Sequence, residues 1–442
     1  SNTAYRGFGG PQGVVAAERV IEEIAFATGL DPLAVRLRNA YGTHDRNVTP
    51  YNMVVEDSIT AELLPELAGR CHYEKRRVAC RAFNASSPYL RRGIAITPVK
   101  FGISFTATHY NQAGALVHVY TDGSVQVNHG GTEMGQGLHT KMVQVAMREL
   151  GLGTDQVRIT ATTTGKVPNT SATAASSGAD LNGMAVLDAV RRIKRRLVEF
   201  AAAHWNVGED EVRFAPDGVH VGQKVIAFSH LTRQAYFARV SMSANGFYKT
   251  PKISWNGDTG QGRPFYYFAY GAACSEVVID LLTGEMKIDR VDILHDAGQS
   301  LNPALDIGQI EGGFVQGAGW LTCEELVWDR AGRLRTHAPS TYKIPACSDR
   351  PRVFNVELLE NAPNRAHTIF RSKAVGEPPF VHGVSVLQAV SDALASLDGY
   401  RTCPRLDAPA TPEMILRVAE RMRHGSPVSY THLRAHETLR QL

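Results

Sequence analysis

A glycine-dense stretch lies within the first thirteen residues of the chain. Arg6 to Gly13 reads RGFGGPQG and contains four glycines, one arginine and one phenylalanine. Because glycine has no Cβ, this density lets backbone N–H groups approach a ligand that side chains would keep away. The chain leaves no room for a preceding element to position this loop, and it does not begin with Met. We therefore expect the chain to begin inside a larger fold.

The composition is that of an ordinary globular protein with two or three domains. The chain has 442 residues, of which 43% are hydrophobic and 20% charged, and this length suffices for a large core. A net charge of +4 is small for the length, so neither nucleic acid nor an anionic membrane is indicated as a partner. No apolar run reaches the roughly 18 residues of a membrane span, and no charged-then-apolar signal segment is present at the start.

The cysteines lack the short spacings of a metal site. They are Cys71, Cys80, Cys274, Cys323, Cys347 and Cys403. Without a CxxC or similar cluster, an iron–sulfur cluster or a structural zinc in this chain is not expected. Six cysteines in 442 residues are too few for a disulfide scaffold, so we expect reduced thiols and a cytoplasmic protein.

Helical and strand patterns are interleaved along the chain. Apolar spacing predicts helices at Val14–Ala27, Leu138–Leu150, Asn182–His204, Val384–Leu397 and Thr411–Met422. Asp31-Pro32 predicts the start of a further short helix, with Asp31 at the N-cap and Pro32 at N1. Turn signals predict hairpins at Asp122-Gly123, Asp217-Gly218 and Thr283-Gly284. Strand pairs mixed with helices favour an α+β fold, with mixed sheets and packed helices, over a regular βαβ series. The stretch from about Tyr41 to Arg92 is polar and weakly periodic, which predicts a connector between two domains.

The last residues of the chain differ from the rest. Ser426 to Leu442 has poor periodicity and follows a predicted terminal helix and Gly425. It resembles a translated sequencing-adapter artefact, so we treat residues 426–442 as a non-native tail. His432, His436 and Glu437 have metal-ligand spacing, but they lie wholly in this tail and receive no function.

Two further segments of small residues are suited to lie against a ligand. Gly130 to Gly137 falls between a predicted strand and helix, where backbone N–H groups can face an anion and Gln136 can add an amide donor. A tight turn from strand to helix explains the same residues. Thr170 to Asp180 is a run of small residues that would let a bulky ligand approach the backbone, although a loop that caps the following helix explains it as well.

A glutamate followed by two prolines is the candidate general base. Glu377 lies in KAVGEPP, where Pro378 and Pro379 fix the backbone and remove N–H donors. The flanking residues are apolar, and a carboxylate held rigidly in such surroundings is suited to accept a proton. A surface turn with a solvated glutamate is the alternative.

Aromatic residues form another group of candidates. Phe101 and Phe105 lie four residues apart in KFGISFT, a spacing that fits one face of a strand or adjacent turns of a helix. A ring from this segment, paired with Phe8, could sandwich a planar heteroaromatic substrate; packing in the core is the alternative. A basic run from Arg191 to Arg196 falls between core positions of a predicted helix and indicates a solvated face.

In combination, these motifs resemble the molybdenum-cofactor-binding part of the xanthine oxidase family of molybdenum hydroxylases. The similarity extends from Asn2 to about His424. It rests on Thr3–Gln12, Lys100–Thr106, Gly131–Gly137, Val167–Ser171 and Lys373–Pro379. In that family, molybdenum is held by the dithiolene sulfurs of a pyranopterin, so the protein supplies glycine-rich loops and amides and no metal ligands of its own.

The resemblance also implies a domain plan for an N-terminally truncated chain. Residues 1–45 would be the end of a first molybdopterin-binding domain, 46–95 a connector, and 96–425 a second molybdopterin-binding domain. One cofactor-binding loop, a substrate-orienting glutamate and a substrate-binding arginine of the family lie upstream of this chain. We therefore expect the chain to be inactive alone.

Residue roles follow from the resemblance by position. Glu377 corresponds to the catalytic base, which deprotonates a molybdenum-bound hydroxyl as it attacks a ring carbon, with hydride transfer to a molybdenum-bound sulfide. Phe8, Phe105 and Thr106 correspond to substrate-binding positions. The positions that line the cofactor are Arg6, Gly7, Gln136, Ala174, Ala175 and Gln309. The implied reaction oxidises hypoxanthine and xanthine to urate.

The resemblance implies partners beyond this chain. A [2Fe–2S] cluster and FAD are expected on absent upstream domains or on a partner subunit, and the complete enzyme is expected to be a homodimer. An aldehyde or other N-heterocycle hydroxylase of the same family is one alternative. A non-catalytic, cofactor-carrying subunit is another, although a rigidly held Glu377 argues against it.

Overall fold

The computed structural model describes residues 4–166 and 169–424. Ten α-helices lie within these residues: α1 Gly10–Thr28, α2 Pro32–Asn39, α3 Thr60–Arg70, α4 Tyr73–Ser86, α5 Leu138–Leu150, α6 Gly178–Trp205, α7 Phe228–Phe237, α8 Pro303–Thr322, α9 Val384–Ala395 and α10 Pro412–His424. The strands of the same residues are β1 Leu90–Ile103, β2 Gln112–Val119, β3 Val125–His129, β4 Val157–Ile159, β5 Val212–Ala215, β6 Gly218–Val221, β7 Lys224–Ile226, β8 Ser243–Lys249, β9 Ser254–Asn256, β10 Gln261–Arg263, β11 Tyr267–Asp280, β12 Met286–His295 and β13 Val353–Leu358. The expected tail 426–442, with His432, His436 and Glu437, lies outside the described residues, as do Val167 and Pro168.

Two four-stranded sheets form the framework of the fold. The first has the order β1-β11-β12-β13, with β13 parallel to β12 and the other pairs antiparallel. The second has the order β4-β3-β2-β8, with β4 parallel to β3 and the other pairs antiparallel. Strands β5-β6-β7 and β9-β10 form two smaller antiparallel sheets. The α+β class with mixed sheets and packed helices is confirmed.

The first sheet is covered by helices on both faces. Ala95 and Val99 of β1 belong to a buried cluster with residues of α8, α9 and α10. Ile94 and Ile96, which alternate with them, pack in a second cluster with residues of α3 and α4, as the period-two geometry of a strand requires. Residues 46–95, which we predicted to be a connector, therefore contain the two helices α3 and α4 and the start of the edge strand β1.

The second sheet packs against α5 and α6. Val117 and Val127 of the sheet share one buried cluster with Met142 of α5 and Val190 of α6. Helix α6 lies close to β8, because a Cβ on Gly246 would lie 2.0 Å from the carbonyl oxygen of Ala185. The basic run on α6 is largely paired: Arg192 with Asp188, and Arg191 and Lys194 with Glu149.

The strongest local patterns produced the elements that they predict. Helix α5 has the predicted bounds, and all three predicted hairpins are present as β2-β3, β5-β6 and β11-β12. Asp31 caps α2, since its Oδ1 accepts the N–H of Leu33 at 2.8 Å. Helices α3, α4, α7 and α8 had no sequence prediction.

Among the described residues, one helical stretch is long and apolar enough to cross a membrane. Pro378–Asp398 has a mean hydropathy of 1.3 over its most apolar window, and 83% of that window is buried inside the protein. Such burial is typical of a core helix, and here the stretch packs against β1 and α8.

Candidate active site

Glu377 lies at the start of a short turn that packs against α8. Residues Pro378–Gly383 form this 3-10 turn, and all six are buried, whereas Glu377 is half-buried. A Cβ on Gly317 of α8 would lie 2.0 Å from the carbonyl oxygen of Phe380, and a Cβ on Gly313 would lie 2.6 Å from Pro379. The glycine face of α8 therefore lets the turn lie directly on the helix, which fixes the position of Glu377.

Two distant segments donate hydrogen bonds to the Glu377 carboxylate. The backbone N–H of Gly7 donates to Oε1 at 3.1 Å. The hydroxyl of Ser176 donates to Oε2 at 2.8 Å, and the same hydroxyl oxygen accepts the backbone N–H of Glu377 at 2.8 Å. Each carboxylate oxygen thus has a donor from a different part of the chain.

Arg6 fastens the glycine-dense stretch to the Glu377 turn and to α8. Its Nε donates to the carbonyl of Gly376 at 2.7 Å, its Nη1 to Oε1 of Gln316 at 3.1 Å, and its Nη2 to the carbonyl of Gln309 at 3.4 Å. Burial lowers the pKa of Arg6, and the negative charge of Glu377 offsets only part of this effect. The structure therefore brings Arg6, Gly7 and Gln309 together beside Glu377.

Phe8 presents its ring to solvent. Its φ of 45° lies between those of Gly7 at 97° and Gly9 at 90°, so three consecutive residues have left-handed angles that favour glycine. The side chain of Phe8 is 77% exposed. An exposed aromatic ring on a strained turn beside a carboxylate is available to contact a planar ligand.

Asn111 holds the segment that carries Phe105 and Thr106. Its Oδ1 accepts the backbone N–H of Phe105 at 2.8 Å, and its Nδ2 donates to the carbonyl of Phe105 at 2.9 Å. The Phe105 ring is half-buried and lies 5.5 Å from the ring of Tyr110, while Thr106 is exposed. Phe101, by contrast, packs under α1, where a Cβ on Gly10 would lie 3.1 Å from its ring.

In the loop Gly130–Gly137, the carboxylate of Glu133 occupies the N-terminus of α5. The Glu133 carboxylate accepts the backbone N–H groups of Gly135, Gly137 and His139 at 2.9, 3.0 and 2.9 Å. Burial raises the pKa of Glu133, but these three donors outweigh it and lower the pKa below its ordinary value. The expectation that these N–H groups face an external anion is therefore wrong for this helix end, and the alternative of a strand-to-helix turn describes it better.

The side chain of Gln136 makes its hydrogen bonds within the same loop. Its Oε1 accepts the N–H of Met134 at 2.5 Å, and its Nε2 donates to the carbonyl of Thr132 at 2.8 Å. The backbone at the loop tip remains open, because a Cβ on Gly135 would meet no atom within 4 Å and Met134 is 66% exposed.

The small-residue loop before α6 joins the other segments. The N–H of Thr132 donates to Oγ1 of Thr173 at 2.8 Å, which links this loop to Gly130–Gly137. Ala174 is exposed, and Ala175 and Ser176 have consecutive left-handed φ values of 53° and 57°. Through Ser176 the loop reaches Glu377, so the segments around Arg6, Gln136, Ala175 and Glu377 converge on one region.

Two residues of this region were missed by sequence reasoning. Ser176 directly follows the predicted Ala174 and Ala175, yet nothing in the sequence indicates that it meets a residue 201 positions away. Asn111 is 2% exposed, and its position after KFGISFT carries no motif that would single it out.

Comparison with known proteins identifies the family. A family model described as a molybdopterin cofactor-binding domain matches residues 66–351, and a second model with the same description matches residues 1–40. The chain belongs to the molybdopterin cofactor-binding domain family. Its resemblance to the molybdenum hydroxylases is thereby confirmed.

Curated relatives of the chain are named xanthine dehydrogenase or xanthine dehydrogenase/oxidase. Xanthine dehydrogenase/oxidase of Mus musculus is 47% identical over 421 residues, that of Gallus gallus 48% over 419 residues, and xanthine dehydrogenase of Dictyostelium discoideum 46% over 421 residues. Each alignment covers 94% of this chain but only 29% or 30% of the relative. The chain therefore spans less than a third of the length of these proteins.

Solved structures of molybdenum enzymes share the fold. Cu,Mo-CO dehydrogenase aligns with a TM-score of 0.82 at 23% identity, covering 96% of this chain and 54% of that one. Quinoline 2-oxidoreductase from Pseudomonas putida 86 aligns with a TM-score of 0.80 at 25% identity, covering 94% and 53%. The arrangement of the two sheets around the site is thus common to these molybdopterin cofactor-binding domains.

The donors at the site fit an organic cofactor. Within residues 4–166 and 169–424, no three His, Cys, Asp or Glu side chains are grouped as metal ligands. The converging loops present the open backbone at Gly135, the exposed Ala174 and the amide of Gln136. The N–H of Gly135 is already bonded to Glu133 and the Arg6 guanidinium to protein acceptors. An open backbone surface and an amide that can exchange its partners suit the polar atoms of molybdopterin, which brings its own metal ligands.

Proposed function

We propose that this chain is the molybdopterin-binding part of a xanthine dehydrogenase that oxidises hypoxanthine and xanthine to urate. The observation that carries the proposal is the Glu377 carboxylate, which has one donor at each oxygen and lies next to the turn that carries the exposed Phe8 and to the loops of the cofactor-binding family. Sequence identity of 47% with a xanthine dehydrogenase/oxidase over 94% of the chain supports this choice of substrate.

Glu377 is the proposed base of the reaction. When bound, molybdopterin supplies the two-electron oxidation of the purine. The Gly7 N–H and the Ser176 hydroxyl each donate to one carboxylate oxygen, which fixes the direction of the carboxylate. Each oxygen retains a further lone pair, so Glu377 can accept a proton without first breaking these contacts.

The remaining predicted residues would bind and orient the purine or the cofactor. Phe8 and Phe105 would contact the faces and edge of the purine ring, and Thr106 would be its polar neighbour. Arg6, Gly7, Gln136, Ala174, Ala175 and Gln309 would line the cofactor. Gln136 would exchange its hydrogen bonds to the loop for hydrogen bonds to the cofactor.

The complete enzyme is proposed to include more than this chain. Electrons would leave through a [2Fe–2S] cluster and FAD on other domains or on a partner subunit, in a homodimeric assembly. The open position of Phe8 supports a further protein segment over the substrate. All six cysteines are free thiols, which supports a cytoplasmic location.

A substrate panel tests the proposed function. The intact protein that contains this chain, purified with molybdopterin, is assayed with xanthine, hypoxanthine, benzaldehyde and quinoline. We expect urate from both purines, with kcat/KM at least about 100-fold above that for the other two substrates. A preference for benzaldehyde or quinoline would instead establish a different hydroxylase of this family. No turnover at full molybdenum content would favour a cofactor carrier.

A further inference from the structure

We infer that Ser176 is a positioning residue for Glu377, and this inference rests on the proposed function. The Ser176 hydroxyl makes two hydrogen bonds to Glu377. Its Oγ accepts the backbone N–H of Glu377 and donates to the carboxylate Oε2, both at 2.8 Å. The two bonds tie the side chain of Glu377 to its own backbone. The carboxylate is thereby confined to one orientation before any substrate arrives.

The backbone around Ser176 is built for this contact. Ala175 and Ser176 are both left-handed, and the N–H of Ser177 closes the turn on the carbonyl of Ala174 at 3.3 Å. Left-handed angles are unfavourable for alanine and serine, so a turn that holds both at once indicates a function. The turn places the Ser176 hydroxyl at Glu377.

The partner loop is shaped to receive Ser176. A Cβ on Gly376 would lie 2.9 Å from Ser176 Oγ and 3.2 Å from its Cβ. Only glycine at this position lets the two loops approach closely enough for both hydrogen bonds. Gly376 and Ser176 are thus complementary across 200 residues of chain.

The remaining surroundings of Glu377 are compatible with a specific effect of this hydroxyl. Arg6 is the charged residue that faces Glu377 from the glycine-dense stretch, and Gly7 contributes only its N–H. Helix α8 packs against the turn with Gly313 and Gly317, which carry no charge. On the same segment, Lys373 is paired with Asp296 at 2.6 Å. Removing the Ser176 hydroxyl leaves all these groups unchanged.

Substitution of Ser176 tests the inference in the intact, cofactor-loaded protein. Ser176→Ala and Ser176→Gly both remove the hydroxyl, and the glycine variant also tolerates the left-handed angle. We expect kcat for xanthine to fall on the order of 10- to 100-fold, with KM within about twofold, because the base is misplaced and not the substrate.

Matched measurements separate this role from a structural one. Ser177→Ala is the control, because the hydroxyl of Ser177 donates to the carbonyl of Ala174 at 3.2 Å and not to Glu377; it should keep the wild-type kcat and KM. Molybdenum content should stay at the wild-type level in all three variants, and a crystal structure of Ser176→Gly should show a different Glu377 rotamer. A wild-type kcat in both Ser176 variants, or an unchanged Glu377 rotamer in Ser176→Gly, would overturn the inference. If Glu377→Gln itself retains hydroxylation, the proposed function fails instead.

Discussion

Single residues at the candidate site adopt backbone angles that side chains rarely take. Phe8, Ala175 and Ser176 have φ values of 45°, 53° and 57°, and each such angle costs about 1–2 kcal/mol for a residue other than glycine. These angles allow the two segments to make their hydrogen bonds to Glu377, which explains why the strained backbone is present. The sequence indicated the segments, through their small residues and the family resemblance, but not the contacts, since Ser176 and Glu377 are joined only by the fold.

Asp180 is a buried carboxylate next to this strained loop. Its Oδ2 accepts the hydroxyl of Tyr267 at 2.6 Å, and Tyr267 in turn accepts the N–H of Ala374 at 2.9 Å. Burial raises the pKa of Asp180 to about 7, against the opposing effects of the Tyr267 hydrogen bond and the charge of Lys141. Folding therefore favours the protonated form of this residue.

The raised pKa predicts a specific pH dependence of stability. The folded chain binds a proton that the unfolded chain releases above about pH 4, so this contribution is complete at low pH and is lost as the pH rises through about 7. Asp180→Asn keeps an acceptor for Tyr267 and removes the titration. We expect the free energy of unfolding of the variant, relative to that of wild type, to be roughly 2–4 kcal/mol larger at pH 8 than at pH 4.5, so that the variant is relatively more stable at pH 8.

Urea unfolding of both proteins at the two pH values measures this difference. The comparison cancels the contributions of all other titrating groups, because they are common to both proteins. An equal change with pH in wild type and Asp180→Asn would contradict the assignment of a protonated Asp180.

At the scale of elements, prediction succeeded where apolar residues recur every turn. Helix α5 buries Leu138, Met142, Val145 and Ala146 on one face, and its bounds were predicted. Helix α4 buries only Tyr73, Cys80 and Asn84 in fourteen residues, so its periodicity is weak. Helix α8 contains five glycines, at 308, 312, 313, 317 and 319, which disfavour a helix in isolation. Close packing against the Glu377 turn overrides that preference.

Glycine-to-alanine substitutions at two positions of α8 are expected to have opposite effects on the free energy of unfolding. Gly317→Ala would place a Cβ 2.0 Å from the carbonyl of Phe380, so α8 and the Glu377 turn must separate. We expect a loss of about 3 kcal/mol or more in the free energy of unfolding, as for a severe overpacking. Gly312→Ala is the matched control on the same helix, because its Cβ would meet no atom within 4 Å. It should stabilise the chain by about 0.5–1 kcal/mol.

Chemical denaturation of the two variants checks this contrast. Similar effects in both would mean that the glycine face of α8 is not in close contact with the turn. A destabilised Gly317→Ala beside a stabilised Gly312→Ala supports the packing by which α8 positions Glu377.

At the scale of the whole molecule, the candidate site joins the two main sheets. Arg6 and Glu377 belong to the part built on the first sheet, whereas Gln136, Ala175 and Ser176 belong to loops at the second. Lys141 of α5 and Asp306 of α8 are linked across the same junction at 2.6 Å. The sequence showed each glycine-rich or small-residue segment separately, and the resemblance predicted that they share a cofactor. Their convergence depends on contacts between distant segments, which no local pattern encodes.

The most direct test of the proposed role of Glu377 is the rate of urate formation by the intact Glu377→Gln variant. Glutamine keeps the shape of the side chain and an acceptor for the Gly7 N–H, but it cannot take up the proton. With molybdenum content at the wild-type level, we predict that kcat with xanthine falls on the order of 10³-fold. A fully loaded variant that retains kcat within about tenfold of wild type would contradict general-base catalysis by Glu377.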